Sequence, residues 1–432
     1  MNADPELRCD PVTGRWVVIA PQRALRPIAL SGHAPRHRTN GEGRPCPFCP
    51  GQENETPNEV YALRDPGTAP NGPGWQLRIV PNMYPAVRPA GEQRQPKPLT
   101  PFASSSAGPV SGASRGPAAK EGGTELKVVL SPSPLGGVVG EGLQPQPPPP
   151  SPLPEGKGEK EWSSGVAPTS ETSCVSSPFP SGRGDGGGGF FTSMPATGVA
   201  EVLIECAEHV DDPTRLTDEQ LAEVFRAYRE RMQVLASDPR LAHVSVFKNV
   251  GAEAGASLAH THSQIIATPI VPELTRAELA GAEAYYARAG RCVFCDIVEK
   301  ELADGSRVVA RSANFVVVTA FAPRFAYELW VLPVAHQPRY EALTDSEALE
   351  LASLLKPVLR ALDAVQDSPA YNWFLHTTPL HAGAPVYYHW HLEVLPRTAR
   401  PAGLEWGFGC HITTVAPEQA ASQLRAALPD GV

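Results

Sequence analysis

Two stretches of this chain repeat one ordered set of residues, and the repeat constrains the fold more than any other feature. In the first, Cys46-Pro-Phe-Cys49 is followed by His209, then by a helix-capping box, Thr217-Asp-Glu-Gln220, eight residues later. A His260-Thr-His262 run lies 51 residues after His209, counted to its first histidine. In the second, Cys292-Val-Phe-Cys295 precedes His336, the box Thr344-Asp-Ser-Glu347 again lies eight residues on, and His389-Trp-His391 begins 53 residues after His336. Matched order with nearly matched spacing implies a duplicated supersecondary unit. Only the gap from cysteine to histidine differs, at 163 against 44 residues. The excess is largely a Pro/Gly/Ser-rich stretch, 90–189, with prolines at 147–150 and glycines at 186–189. Such a composition buries too little apolar surface to offset ordering entropy, so it reads as a disordered insertion inside the first half.

Each half also carries strand-like runs, at 16–20, 75–80, 199–209 and 244–248 in the first and 314–320, 327–333 and 371–376 in the second. The capping boxes open helices over 218–235 and from 345 to about 364. The expected fold is α+β, an internal pseudo-two-fold repeat with an antiparallel sheet and packed helices in each half. The halves are expected at 1–272, which carries the chemistry, and 273–432.

Of eight cysteines, four form the two Cys-x-x-Cys pairs. In a reducing compartment such pairs mark metal ligands or redox dithiols more than structural disulfides. Cys46-Pro-Phe-Cys49-Pro-Gly sits in a Pro/Gly turn, which fits a metal knuckle better than the helix start of a redox dithiol. Two thiolates and two imidazoles make the usual tetrahedral set of a closed zinc site. One site is therefore assigned to Cys46, Cys49, His209 and His260, and another to Cys292, Cys295, His336 and His389, against the plainer reading of buried cysteines and histidines. Four protein ligands leave no open position, so both sites are structural, and His262 and His391 remain for chemistry.

The stretch Gly251–Gln264 joins a glycine-rich turn to His260-Thr-His262-Ser-Gln264. Period-two alternation suggests a strand with His260, His262 and Gln264 on one face. Small residues ahead of it let backbone N–H groups approach an anion. A neutral His262, its other ring nitrogen donating to a carbonyl, could attack an α-phosphorus, with Gln264 donating to a non-bridging oxygen. The plainer alternative is a polar strand with two satisfied histidines. In the second half Tyr387-Tyr388 replaces the small residues and Glu393 replaces the glutamine. A carboxylate there would repel phosphate, so that half is expected to be catalytically silent. Arg23 and Arg26, three residues apart after a strand, could hold a phosphorylated ligand bidentately.

A net charge of -9 and a pI near 5.8 argue against binding nucleic acid through general basicity. No apolar run approaches the roughly 20 residues that span a membrane, and the first eight residues lack the apolar core of a signal peptide. A cytoplasmic protein is expected.

These residues carry a resemblance. Asp10-Pro-Val-Thr-Gly-Arg-Trp16, Pro21-Gln-Arg23-Ala-Leu-Arg26-Pro27, Cys46-Pro-Phe-Cys49, Phe247-Lys-Asn249 and Gly255-Ala-Ser257-Leu-Ala-His260-Thr-His262-Ser-Gln264 resemble the galactose-1-phosphate uridylyltransferase branch of the histidine-triad superfamily. The resemblance implies two fused histidine-triad-like units, a homodimer and zinc at the first-half site. It implies a ping-pong exchange in which UDP-glucose uridylylates His262 and the UMP passes to galactose 1-phosphate. It also implies that Arg23, Arg26, Asn82, Phe247, Asn249, Ser257 and Gln264 contact nucleotide or phosphate. A second metal, iron or zinc, is matched by Glu278, His376 and His391, with Glu393 where the family's last histidine would stand. Thr261 replaces the proline that galactose-active members carry between the two histidines, and 407–417 lacks their Glu/Gln hexose contacts. Ala254–Gln264 and Gly407-Phe-Gly-Cys-His411 instead resemble a sister group with two Cys2His2 zinc sites that transfers AMP from ADP-glucose to inorganic phosphate. Uridylyl exchange is the leading expectation and ADP-glucose phosphorolysis the alternative. A histidine-triad nucleotide hydrolase and a non-enzymatic nucleotide-binding zinc protein are the remaining rivals.

Overall fold

Strand pairing across the two halves sets the architecture. The computed structural model describes residues 5–21, 45–89 and 194–429. Arg23, Arg26 and the expected insertion at 90–189 lie outside them.

Among the described residues the first half supplies strands β1 (Glu6–Cys9), β2 (Trp16–Ile19), β3 (Tyr61–Arg64), β4 (Trp75–Pro81), β5 (Val199–Ile204), β6 (His243–Val250) and β7 (His262–Thr268), with helix α1 (Asp218–Leu235) between β5 and β6. The second supplies helices α2 (Glu273–Ala289) and α3 (Val293–Asp304), strands β8 (Val308–Arg311), β9 (Phe315–Thr319) and β10 (Leu329–Pro333), then helix α4 (Asp345–Gln366). Strands β11 (Tyr371–His376) and β12 (His391–Pro396), helix α5 (Gly403–Phe408), strand β13 (His411–Thr413) and helix α6 (Pro417–Ala426) complete it.

Ten strands form one antiparallel sheet in the order β3-β4-β5-β7-β6-β11-β12-β10-β9-β8. From its centre the order runs β6-β7-β5-β4-β3 on one side and β11-β12-β10-β9-β8 on the other. The central β6–β11 pair joins strands from either side of residue 272, in register from Tyr371 opposite Val250 to Leu375 opposite Val246. Separately, β13 adds parallel to β2, which pairs antiparallel with β1.

Helices α1 and α4 form where the sequence places them because each has a reciprocal cap and one apolar face. The Gln220 N–H donates to Thr217 Oγ1 at 3.1 Å and the Thr217 N–H to Gln220 Oε1 at 2.9 Å. The Glu347 N–H donates to Thr344 Oγ1 at 3.2 Å and the Thr344 N–H to Glu347 Oε2 at 2.8 Å. In α1, Leu221, Val224, Phe225, Tyr228, Met232 and Leu235 recur at helical spacing and are all buried. Together with α4 they cover one sheet face, meeting Val244, Val246, Ile265, Ala267, Leu329, Val331, Trp373, Leu392 and Val394. Thr217→Ala should cost about 1 kcal/mol of stability through loss of the cap. Equilibrium urea unfolding checks this; an unchanged midpoint would show that tertiary packing alone fixes the start of α1.

The alternate residues of the same strands point to the opposite face. It carries Phe247, Asn249, His262, Gln264, His376, His391 and Glu393. In the second half this face is covered by α2 and α3 through Ala282, Val293, Phe294 and Val298, which pack on Val316, Val318, Trp330, Leu332 and Tyr388. Helix α2 is not evident from apolar periodicity, since it buries only Thr275, Glu278 and Ala282. Cys292 is the N-cap residue of α3, so the second Cys pair opens a helix, whereas the Cys46–Cys49 pair turns on a Cys49 N–H to Cys46 carbonyl bond of 3.1 Å.

One expectation is corrected in detail. Strand β7 begins at His262, so His260 lies in the bend before it and does not share a strand face with His262 and Gln264. The Thr261 N–H leaves the ladder and donates to the Val210 carbonyl at 2.7 Å. His262 and Gln264 do share one face of β7.

Candidate active site and metal centres

The cleft beside β7 is walled by residues 248–252 and 256–262, together with Asp211. Its loop turns on Gly251 (φ 84°) and Gly255 (φ 90°), left-handed conformations that favour glycine and bring backbone close to any ligand. His262 stands at the mouth of this loop, 8 % exposed. Its Nδ1 lies 2.8 Å from the His260 carbonyl. A carbonyl only accepts, so Nδ1 carries the proton and Nε2 keeps the lone pair. Burial, the largest cause, holds the imidazole below its ordinary range, and the nearby Lys248 ammonium acts the same way. The ring is therefore neutral at neutral pH, as a nitrogen nucleophile requires.

Of the other expected contacts, Gln264 and Phe247 sit opposite each other across β7 and β6, both half-buried. Asn249 is half-buried two residues along β6, and Ser257 is exposed on the cleft wall. Asn82 does not line this wall; its Oδ1 accepts from the Tyr84 N–H at 2.8 Å just past β4.

The cysteine and histidine groups assemble as two clusters. Within each of Cys46/Cys49/His209/His260 and Cys292/Cys295/His336/His389, one ligand atom per residue lies within 4.8 Å of the others. Cys49 Sγ is 3.3 Å from His209 Nδ1 and 3.7 Å from His260 Nδ1, and Cys46 Sγ is 3.7 Å from His260 Nδ1. Zinc bond lengths at the tetrahedral angle give sulfur–nitrogen edges of about 3.6 Å, so this donor set fits the ion. The second cluster has the same form, with Cys295 Sγ 3.3 Å from His336 Nδ1 and 3.8 Å from His389 Nδ1. In both, the remaining nitrogen of the inner histidine donates to a carbonyl, His260 Nε2 to Cys206 at 2.9 Å and His389 Nε2 to Pro333 at 3.0 Å. That contact orients the ring and leaves Nδ1 for a metal.

A third group gathers Glu278, His376, His391 and Glu393. His376 bridges the two carboxylates, Nδ1 to Glu278 Oε2 at 3.0 Å and Nε2 to Glu393 Oε2 at 3.2 Å. Burial opposes the imidazolium, but the two carboxylates overcome it and raise His376 to about 10. Glu393 also pairs with the half-buried guanidinium of Arg324. His391 is 1 % exposed, with the rings of Trp330, Phe294 and His376 centred 4.7 to 5.3 Å away. Cation charge already fills this cluster, and His391, unlike His262, lines a cleft walled by carboxylates, those of Asp10, Glu278 and Glu393.

Several residues at the site escape sequence reasoning. Phe48, inside the first Cys pair, sets its ring edge-on to His262 at 5.4 Å. Asn372 of β11 donates from Nδ2 to Asn249 Oδ1 at 2.7 Å and to the Ala254 carbonyl at 2.8 Å, so the second half steadies the loop of the first. The Arg397 Nε in turn donates to Asn372 Oδ1 at 2.6 Å. Glu205 and Lys248 form a buried ion pair of 2.7 Å beneath β7. A lone Lys or Glu in a strand carries no signal of such a partner.

With this geometry in view, comparison with known proteins assigns the chain. Residues 177–272 match the N-terminal domain, and 278–430 the C-terminal domain, of galactose-1-phosphate uridyl transferase. The chain is 28 % identical to an ADP-glucose phosphorylase of Arabidopsis thaliana over 426 residues, 98 % of this chain and 93 % of that protein. It is 27 % identical to the galactose-1-phosphate uridylyltransferase of Thermotoga maritima over 245 residues, 55 % of this chain and 76 % of that one. The crystal structure of an ADP-glucose phosphorylase from Arabidopsis thaliana with bound ADP-glucose superposes with a TM-score of 0.65 at 26 % identity, covering 98 % of both chains. The chain belongs to the galactose-1-phosphate uridylyltransferase family, in its ADP-glucose phosphorylase-like branch, and is a nucleotidyltransferase.

Proposed function

We propose that this chain moves a nucleoside monophosphate from a nucleotide sugar to a phosphate acceptor through a covalent nucleotidyl-His262. In the first step Nε2 attacks the α-phosphorus, an N–P bond forms, and the bond to the bridging oxygen breaks. The sugar 1-phosphate leaves with the electron pair. In the second step an acceptor phosphate oxygen attacks the same phosphorus and the N–P bond breaks, regenerating neutral His262. The observation that carries the reading is the Nδ1 bond to the His260 carbonyl, which leaves Nε2 unprotonated beside a glycine-turned cleft. Gln264 would hold a non-bridging oxygen, and Asn249 and Ser257, with Phe247 beside them on β6, would contact nucleotide or phosphate. Arg23, Arg26 and Asn82 are carried over on resemblance alone.

UDP-glucose with a hexose 1-phosphate is the donor and acceptor pair that the family name supports. ADP-glucose with inorganic phosphate is the second reading. It is favoured by the Arabidopsis match, which runs through 98 % of the chain where the Thermotoga match covers 55 %. The two Cys2His2 groups would each hold a structural zinc, which fixes the bend preceding β7 or β12 and takes no part in bond making. The Glu278, His376, His391 cluster is the weaker metal candidate, because His376 and Arg324 already neutralise its carboxylates. The mirrored strand order about β6 and β11 supports reading 1–272 and 273–432 as two histidine-triad-like units. A homodimer is carried over from the resemblance. No helix among the described residues is long and apolar enough to cross a membrane.

The test is to incubate the protein with nucleotide sugar labelled at the α-phosphorus and to map acid-labile, base-stable label. Label on His262 from UDP-glucose supports uridylyl exchange, and label from ADP-glucose supports phosphorolysis. Binding of either sugar with no label at any time would sink the covalent reading.

A further inference from the structure

Lys248 lines the cleft, so the simplest role for its ammonium would be to hold a substrate phosphate. Its contacts argue otherwise. The side chain is 1 % exposed, and Nζ donates to Glu205 Oε2 at 2.7 Å, Thr261 Oγ1 at 2.7 Å and the His262 carbonyl at 3.1 Å. An ammonium has three N–H donors, and these three acceptors use them all. Glu205 is equally committed: besides Lys248, it accepts from Thr261 Oγ1 at 2.6 Å and from the Ser263 hydroxyl. Three successive residues are thus gripped from beneath, Thr261 and Ser263 by their hydroxyls and His262 by its carbonyl. The Thr261 N–H adds the bond to Val210 at 2.7 Å.

We propose that Lys248, Glu205 and Thr261 form a buried clamp that fixes the peptide carrying the nucleophile, and that Lys248 is a positioning residue and not a phosphate ligand. The proposal rests on reading His262 as the nucleophile. The clamp depends on a residue that has both a hydroxyl and a backbone N–H at 261. Proline there would delete both, leaving Lys248 and Glu205 each one partner short inside the protein, where an unmatched polar group is costly. Its bearing on rate is geometric, since displacing a reacting group by about 1 Å costs roughly 100-fold.

Thr261→Val keeps the shape and removes the hydroxyl, whereas Thr261→Ser keeps the hydroxyl. At saturating nucleotide sugar, Thr261→Val should label His262 about 10-fold or more slowly than wild type, with the dissociation constant within about two-fold. Thr261→Ser should recover the rate to within about three-fold. A loss caused only by weaker folding would appear as a lowered melting temperature without this split. Lys248→Gln provides the second arm: the clamp expects a slower labelling step, whereas a phosphate ligand expects binding weakened by more than about 10-fold at an unchanged saturated rate. Wild-type labelling rates in Thr261→Val, or a pure binding defect in Lys248→Gln, would overturn the clamp. A wild type that never labels would remove the functional reading and the clamp with it.

Discussion

His262→Ala is expected to abolish covalent labelling and to lower nucleotidyl transfer by about 10,000-fold or more, the scale of losing a nucleophile whose function no neighbour can take over. Binding of the nucleotide sugar should survive, because Nε2 forms its bond to phosphorus only in the reaction, while the glycine loop and Asn249 remain in place. Gln264→Ala should show a different pattern. A donor to the transferred phosphoryl group stabilises charge as it develops, so its loss is expected to slow the step about 100-fold while label still accumulates on His262. Rapid-quench measurement of labelled protein separates the two. His262→Ala retaining even a hundredth of the wild-type rate would mean that acceptor phosphate reaches the donor directly, and the ping-pong route would fall. Label appearing on another histidine in that variant would move the nucleophile, not the reaction class.

What could be read from sequence divides along physical lines. The two long helices were legible because their signals are local: Thr217 with Gln220, and Thr344 with Glu347, cap residues three positions away, and the apolar face follows within the same segment. The metal-type clusters were legible because cysteine pairs and their histidine partners are rare residues recurring in order. Helices α2 and α3 were not, since α2 fully buries one apolar side chain, Ala282, and α3 starts at a cysteine that reads as part of a turn. Period-two alternation continues back to His260 and places the start of β7 two residues early, while the bend there is set by Val210, 51 residues earlier in sequence. The Lys248–Glu205 pair spans 43 residues and links β6 to the residue just past β5, a strand that is not its neighbour in the sheet. Only the assembled sheet brings such residues together.

The two Cys2His2 groups look alike in composition but differ in what they support. Wild-type protein purified without chelator should carry about two zinc ions per chain. Cys49→Ser and Cys292→Ser should each reduce this to about one, since a structural site binds its ion with roughly 10 kcal/mol or more and a missing thiolate removes much of that. Their effects on labelling should diverge. His260 is held through Nδ1 at the first group and through Nε2 at the Cys206 carbonyl, and its own carbonyl receives the Nδ1–H of His262. Loosening His260 therefore frees the ring that must attack, and Cys49→Ser should slow labelling by about 100-fold. The corresponding chain in the second half ends at His391, which packs against Trp330, Phe294 and His376 and lines a cleft that it shares with the carboxylates of Asp10, Glu278 and Glu393, where a phosphate would be repelled. Cys292→Ser should accordingly lower the melting temperature while labelling stays within a few-fold of wild type. Elemental analysis alongside the labelling assay checks both arms. Full zinc content in Cys49→Ser would dismiss the first metal centre, and equal loss of labelling in the two variants would show that both halves bear on His262 through the shared β6–β11 pair.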